Sequence, residues 1–248
     1  MGRVPSVPLP ESLRTSFLVH DHAPDGAWRL DEETLGLLHE RLHPGAHTLE
    51  TGAGTSTVLF ALRGARHTAV VPVIEEETRI REYCRVAGIA TDGLEFVIER
   101  SERALPRLPH RELDLVLIDG RHGFPAPMLD WYYTAPMLRI GGTLVLDDTQ
   151  LWSVRMVRDV LCADTAWRLD AESAKASFFV KLADGSHDLE WTAQPWVTQQ
   201  TAALARSVRF RQRRDTALRL LRRGRLLALS GAIGRSLVQE LGARRRGD

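Results

Sequence analysis

The sequence predicts a doubly wound α/β domain: a mostly parallel sheet with helices on both faces and a C-terminal antiparallel hairpin, preceded by an N-terminal arm and followed by a basic helical tail. Three observations predict it. Strand-like and helix-like stretches alternate between residues 31 and 194. The strand-like stretches are near-continuous apolar runs, as expected of strands covered on both faces. The Gly-rich and acidic clusters fall directly after such runs, at the strand ends where open α/β sheets bind ligands.

Residues 1–30 carry aromatic and His side chains with no clear period and read as the arm. Its His20 and His22 form an HxH pair without other ligand types nearby, which reads as surface or lid. Asp31 is the N-cap of a helix through Leu35, Leu37, Leu38 and Leu42, which Pro44-Gly45 ends. His47–Glu50 is a short strand, Thr51–Gly54 a Gly-rich turn, and Ser56–Leu62 a helix. His67–Val73 is a β-branched strand, and Glu75–Ala87 a helix with Ile80, Tyr83, Cys84 and Ala87 on one face before Gly88. Leu94–Ile98 and Leu113–Ile118 are strands, the second ending at Asp119. Met128–Leu138 is helical, and Gly141-Gly142 leads into the strand Thr143–Leu146, which ends at Asp147-Asp148. Ser153–Leu161 is a helix, and Trp167–Leu169 with Phe178–Leu182 form the closing hairpin. Trp131-Tyr132-Tyr133 reads as helix–sheet core before it reads as an acceptor pocket.

A chain of 248 residues suits one such domain with extensions. Met1–Pro10 has no apolar signal region, and no run of about 18 apolar residues exists, so neither a secretory signal nor a transmembrane helix is expected. Cys84 and Cys162 make no CxxC pair and no disulfide framework, which points to the cytoplasm. The formal charge of +1 conceals an asymmetry. Residues 195–248 hold 13 Arg, no Lys and three acids, hence +10, against −9 for residues 1–194. This marks residues 195–248 as a tail distinct from a domain over 31–194.

The turn Glu50-Thr-Gly-Ala-Gly-Thr-Ser56 follows a strand and opens a helix. Glycines allow a tight turn and close ligand approach. The helix start offers N–H groups and a positive dipole end to an anion. A nicotinamide-nucleotide fingerprint would continue to a third glycine where Thr57 stands. The acid Glu50 would repel a pyrophosphate and tolerate a sulfonium. A tight βα turn without a ligand is the plainer alternative at this point.

Leu49-Glu-Thr-Gly-Ala-Gly-Thr-Ser56, Leu115-Val-Leu-Ile-Asp-Gly-Arg-His122 and Gly141-Gly-Thr-Leu-Val-Leu-Asp-Asp148 together resemble, in order and spacing, the motifs of class I S-adenosylmethionine-dependent methyltransferases. The resemblance covers roughly residues 31–183 and implies a seven-strand Rossmann-like sheet. It implies that Glu50, Gly52, Ala53, Gly54 and Ser56 hold the amino-acid part of S-adenosylmethionine, with Asp119 beside it. Ser101 and Glu102 take the place where the family often contacts adenine; a helix N-cap followed by a first-turn acid describes them equally well. The family's ribose-binding acid at the end of the second strand is missing from Ala69-Val-Val-Pro-Val73, which leaves Glu75, Glu76, or backbone and water for that task.

Asp119, His122, Asp147 and Asp148 follow two strands that are neighbours in this fold class. Adjacent acids after an apolar strand are costly unless solvated, paired or bound to a cation, and converging carboxylates suit Mg²⁺. His122 can take a hydroxyl proton near neutral pH. Asp-Gly-x-His followed by Asp-Asp, 28 residues after the first Asp, is similar to metal-dependent sugar O-methyltransferases of macrolide biosynthesis. That likeness implies Asp119, Asp147 and Asp148 as Mg²⁺ ligands and His122 as general base. Metal-free methyl transfer is the alternative, since an acid at the end of the fourth strand also occurs without metal. The expected activity is methyl transfer to a hydroxyl of a small, sugar- or polyol-like molecule. The rivals are a non-catalytic S-adenosylmethionine-binding module that acts through its tail, and a nicotinamide oxidoreductase, which Thr57 disfavours.

In the tail, Arg alternates with Phe210, Ala217, Leu221, Leu226, Leu229, Ile233, Leu237 and Leu241 at roughly helical spacing, interrupted by Gly224, Gly231 and Gly234. Packing or self-association is the first expectation, an anionic membrane surface the second. Without aromatic interleaving, nucleic acid is not an expected partner.

Overall fold

The computed structural model describes residues 30–222. The expected arm, its His pair, and the tail beyond residue 222 lie outside the described residues. Elements run in the order α1 (Glu32–Arg41), β1 (His47–Thr51), α2 (Thr55–Leu62), β2 (Arg66–Val71), α3 (Ile74–Ala87), β3 (Leu94–Ile98) and α4 (Ser101–Ala104). β4 (Leu113–Ile118), α5 (Ala126–Thr134), β5 (Leu138–Leu146), α6 (Trp152–Ala163), β6 (Trp167–Glu172), β7 (Ser177–Lys181) and α7 (Pro195–Arg222) follow.

The seven strands form one sheet in the order β3-β2-β1-β4-β5-β7-β6. β1 to β5 run parallel, and β7 joins β5 and β6 antiparallel. The order reverses between β1 and β4, so the loops after these two strands diverge and leave a crevice. Both strands are buried on both faces, which explains their continuous apolar runs. Leu115, Leu117, Ala69, Val145 and Phe178 pack towards Leu35, Leu38, Leu59 and Ile80 on one side. Leu49, Val70, Val116, Ile118, Leu144 and Phe179 pack towards Trp131, Val154, Val157 and Leu161 on the other. Successive strand residues face opposite sides, as strand geometry requires. Trp131 is core, as expected, whereas Tyr132 on the next position of α5 is exposed.

The caps follow local chemistry. Asp31 accepts from Thr34 N at 2.8 Å and starts α1, and Gly88, at φ 68°, ends α3 in the left-handed conformation that favours glycine. Two elements, α5 and β5, differ most from expectation. α5 starts two residues early and ends at Thr134, and β5 begins at Leu138, well before the expected Thr143. The reason is a bulge: Leu113 pairs with Leu138 but Leu115 pairs with Thr143. Gly141, at φ 82°, permits the excursion that reads as a loop in the sequence.

The described residues divide into two compact units between Trp196 and Val197. In the second unit every described side chain from residue 199 onward is exposed. Arg206, Arg209, Arg211 and Arg214 fall on different sides of α7 at about 100° per residue. Among the described residues no helix is long and apolar enough to cross a membrane.

Candidate active site

The turn after β1 is built around Gly52 and Gly54. Gly52 adopts φ +92°, and a Cβ there would stand 2.3 Å from the backbone oxygen of Asp119. Only glycine lets the turn lie against the end of β4. Gly54 is extended at φ −178°, and the space a Cβ would enter is open. Thr57, where a third glycine would stand in a nucleotide fingerprint, accepts from Gly54 N at 2.9 Å and donates to Glu50.

Glu50 is fully buried. Its carboxylate accepts from Ser56 Oγ at 2.6 Å, from Thr57 Oγ1, and from His67 Nε2 at 3.0 Å. His67 Nδ1 pairs with Thr48 Oγ1 at 2.8 Å, and the imidazole stacks on Phe60 with ring centroids 4.1 Å apart. A buried carboxylate is tolerated because its lone pairs are satisfied. The residues expected to touch the cofactor therefore divide. Gly52, Ala53 and Gly54 form the turn, while Glu50 and Ser56 lie beneath it and fix the start of α2. His67 escapes a reading of the sequence, because only the register of β1 against β2 brings it to Glu50; Thr48 is its direct neighbour across the two strands.

The second wall follows β4 and β5. Asp119 N donates to Thr51 O at 3.1 Å, which ties the loop after β4 to the turn after β1. A Cβ on Gly120 would meet Thr51 Oγ1 at 3.1 Å, so these loops touch. The backbone oxygen of His122 accepts from Ser153 Oγ at the start of α6. His122 Nε2 lies 3.9 Å from Asp119 Oδ1 and 3.8 Å from Asp148 Oδ2. The side chains of Asp119, His122 and Asp148 keep 21%, 23% and 24% of their surface open, enough for a ligand to reach them. Asp148 adopts φ 53°, a conformation few non-glycine residues take and one enriched at functional sites. Its Oδ1 accepts from Gln150 Nε2 at 2.7 Å.

Burial, then the nearby carboxylates of Asp147, Glu50 and Asp148, hold the Asp119 carboxyl well above the ordinary range. Burial and Asp148 push Asp147 up as well. These groups resist being ionised together, so a cationic guest is favoured over an anionic one. His122 goes the other way: burial lowers its pKa, against the pull of Asp148, so the imidazole is neutral at pH 7 and able to accept a proton.

Asp119, Asp147 and Asp148 fit Mg²⁺ in kind, as hard oxygen donors. Asp147 Oδ1 and His122 Nε2 are buried without a hydrogen-bond partner among the described residues. Among the described residues, no group of three or more His, Cys, Asp or Glu is arranged to hold a metal ion. The carboxyls of Asp119 and Asp147 meet in a side-chain hydrogen bond, and His122 lies between Asp119 and Asp148.

Elsewhere the cleft departs from the pattern that the sequence resemblance implies. β2 ends on Val71, and Val73 and Ile74 stand exposed where a ribose-binding acid would be; Glu75 and Glu76 lie in the first turn of α3. Ser101 and Glu102 open α4 after β3, with Arg100 rather than Ser101 at the N-cap. Phe124 and Leu151 are exposed on the loops that carry His122 and Asp148, and Trp152 is exposed at the start of α6.

Residues 49–149 match the family model of a methyltransferase domain. No curated protein matches the chain. Among solved structures, the O-methyltransferase TomG from Streptomyces achromogenes, involved in tomaymycin synthesis and in complex with SAM, is similar at 17% identity and a TM-score of 0.58, over 71% of this chain and 92% of its own. The O-methyltransferase from Bacillus cereus in complex with SAH is similar at 15% identity and a TM-score of 0.57, over 71% and 93%. Cofactor-bound Rv0187 from MTB is similar at 17% identity and a TM-score of 0.57, over 69% and 90%. Residues 49–149 thus match a methyltransferase domain, and the chain shares its fold with these solved structures.

Proposed function

We propose that the protein is an S-adenosylmethionine-dependent O-methyltransferase that acts on a hydroxyl of a small, sugar- or polyol-like molecule. The observation that carries this reading is His122, an imidazole kept neutral by burial and held between Asp119 and Asp148 at the crevice where strand order reverses. S-adenosylmethionine supplies, when bound, a methyl group made electrophilic by its sulfonium sulfur. The acid cluster of Glu50, Asp119, Asp147 and Asp148 favours that positive charge. The His122 imidazole takes the hydroxyl proton as the oxygen–methyl bond forms and the sulfur–methyl bond breaks. Phe124, Leu151 and Trp152 offer apolar faces against which the C–H faces of an acceptor can lie.

The finer reading adds Mg²⁺, held by Asp119, Asp147 and Asp148, which would lower the pKa of the acceptor hydroxyl. It is supported by the unpartnered Asp147 Oδ1 and by the mutual repulsion of the acids. Glu75 or Glu76 would serve the ribose. The same reading divides the chain into an arm over 1–30, the catalytic domain over 31–194 and a tail over 195–248 that packs or self-associates, in the cytoplasm.

The test is methyl transfer to a panel of sugar and polyol hydroxyls, with and without chelator. His122→Ala is expected to keep S-adenosylhomocysteine binding and lose about 10²- to 10⁴-fold in turnover, as a lost general base does. Loss of activity in chelator, restored by added Mg²⁺, supports the metal; full activity in chelator removes it. Unchanged turnover in His122→Ala removes the base.

A further inference from the structure

Asp130 lies on α5, after the loop that carries His122, and has no exposed surface. Both of its carboxyl oxygens are buried without a hydrogen bond of normal geometry, and so is Thr51 Oγ1. The polar groups against the carboxyl are the hydroxyls of Ser101 and Thr51, with the charges of Glu102 and Arg121 around them. Burial pushes the acid up to about 6, against the opposing pull of those hydroxyls.

An acid is an expensive residue here. Leaving a buried polar group unpaired is destabilising, and more so for a charged one. Of the other buried residues of α5, Ala126, Pro127 and Trp131 are apolar, and the Thr134 hydroxyl is satisfied by the backbone oxygen of Asp130 at 2.6 Å. What sets Asp130 apart is its neighbours. Thr51 ends β1 and immediately precedes Gly52. Ser101 opens α4 directly after β3. Arg121 is in the loop after β4. One buried carboxyl therefore stands where the loops of three parallel strands meet, behind the crevice. Two of those loops are the ones expected to hold opposite ends of the cofactor.

We propose that Asp130 is a positioning residue for cofactor binding: its carboxyl draws the hydroxyls of Thr51 and Ser101 together and so sets the spacing between the turn after β1 and the start of α4. The proposal rests on the reading that this cleft binds S-adenosylmethionine. Asp130 does not touch the ligand, because its oxygens have no accessible surface.

The experiment is calorimetric titration of the full-length protein with S-adenosylhomocysteine, paired with melting of the ligand-free protein, for wild type, Asp130→Leu, Asp130→Asn and Thr51→Val. Asp130→Leu is expected to bind about tenfold more weakly or worse, while its melting temperature is unchanged or raised because a buried, poorly satisfied acid is removed. Asp130→Asn keeps an acceptor oxygen and is expected to recover affinity to within about threefold of wild type. Thr51→Val should weaken binding in the wild type and add little in Asp130→Leu, as residues acting through one contact do. Unchanged affinity in Asp130→Leu overturns the proposal. So does a loss of affinity that merely follows a falling melting temperature and is not recovered by asparagine. Should Asp130→Leu not fold, Thr51→Val decides, since its hydroxyl is buried away from any ligand: weaker binding at an unchanged melting temperature supports the proposal, and unchanged binding overturns it. Wild-type protein that binds no S-adenosylhomocysteine would instead overturn the cofactor reading itself.

Discussion

Replacing Gly52 by alanine should damage both the fold and the site, and the two glycines of the turn should respond in opposite ways. At Gly52 the backbone sits at φ +92°, which costs a non-glycine residue about 1–3 kcal/mol. The added Cβ would stand 2.3 Å from the Asp119 backbone oxygen, far inside contact distance. Relief requires β1 and β4 to separate at their ends, an overpacking penalty of about 1–3 kcal/mol. The two together predict a loss of about 2–6 kcal/mol, which for a domain of this size lowers the melting temperature by roughly 5–20 °C. Moving Asp119 also moves a wall of the cleft, so affinity for S-adenosylhomocysteine should fall as well. Gly54→Ala is the control. Its backbone is extended and its Cβ would enter open space, so stability should stay within about 0.5 kcal/mol, as at unstrained sites. If that open space is where the cofactor lies, Gly54→Ala should still weaken binding. Thermal melting and calorimetry on both variants read these effects. A Gly52→Ala protein that melts within about 2 °C of wild type, a shift worth less than about 1 kcal/mol, would refute the reasoning.

Two further outcomes concern pH and the tail. Asp164 is buried, which opposes ionisation, but hydrogen bonds from Ala166 N and from Ser186 N and Oγ outweigh burial and hold its carboxyl below the ordinary range. A depressed carboxylate adds stability that is present above its unfolded value near 3.8 and lost as pH falls through the folded value. Denaturation between pH 7 and 3 should therefore show a steeper acid loss in wild type than in Asp164→Asn; parallel profiles would contradict this. For the tail, truncation after residue 194 should change oligomeric state or solubility, with no liposome binding in either form. Salt-sensitive binding of the full-length protein to anionic vesicles, lost on truncation, would show that the basic helix serves a membrane surface instead.

The strands that frame the crevice were legible because burial on both faces writes them as apolar runs: Leu115–Ile118 and Leu144–Leu146 have no other reading. The positions of Gly52, Asp119, His122 and Asp148 were legible because each directly follows such a run. The first part of β5 was not, because Gly141-Gly142 reads as a break where the structure has a bulge. The mates of Glu50 were not either. Ser56 and Thr57 lie on the next turn of chain, but His67 reaches Glu50 only through the pairing of β1 with β2, which no local pattern encodes. Asp130 looks like an ordinary polar residue of an amphipathic helix until the fold places Thr51 and Ser101 against it. The acid cluster shows the limit from the other side: sequence brings Asp119, Asp147 and Asp148 to the right strand ends, but side-chain direction decides whether they converge, and spacing along the chain does not carry direction.

The central claim, that the crevice between β1 and β4 binds S-adenosylmethionine, is tested most directly by calorimetric titration of the purified full-length protein with S-adenosylhomocysteine and, separately, with NAD. The account predicts saturable binding of S-adenosylhomocysteine at one site per chain, with a matching rise in melting temperature by linkage, and no comparable binding of NAD. Tighter binding of NAD, or no binding of S-adenosylhomocysteine, would contradict it.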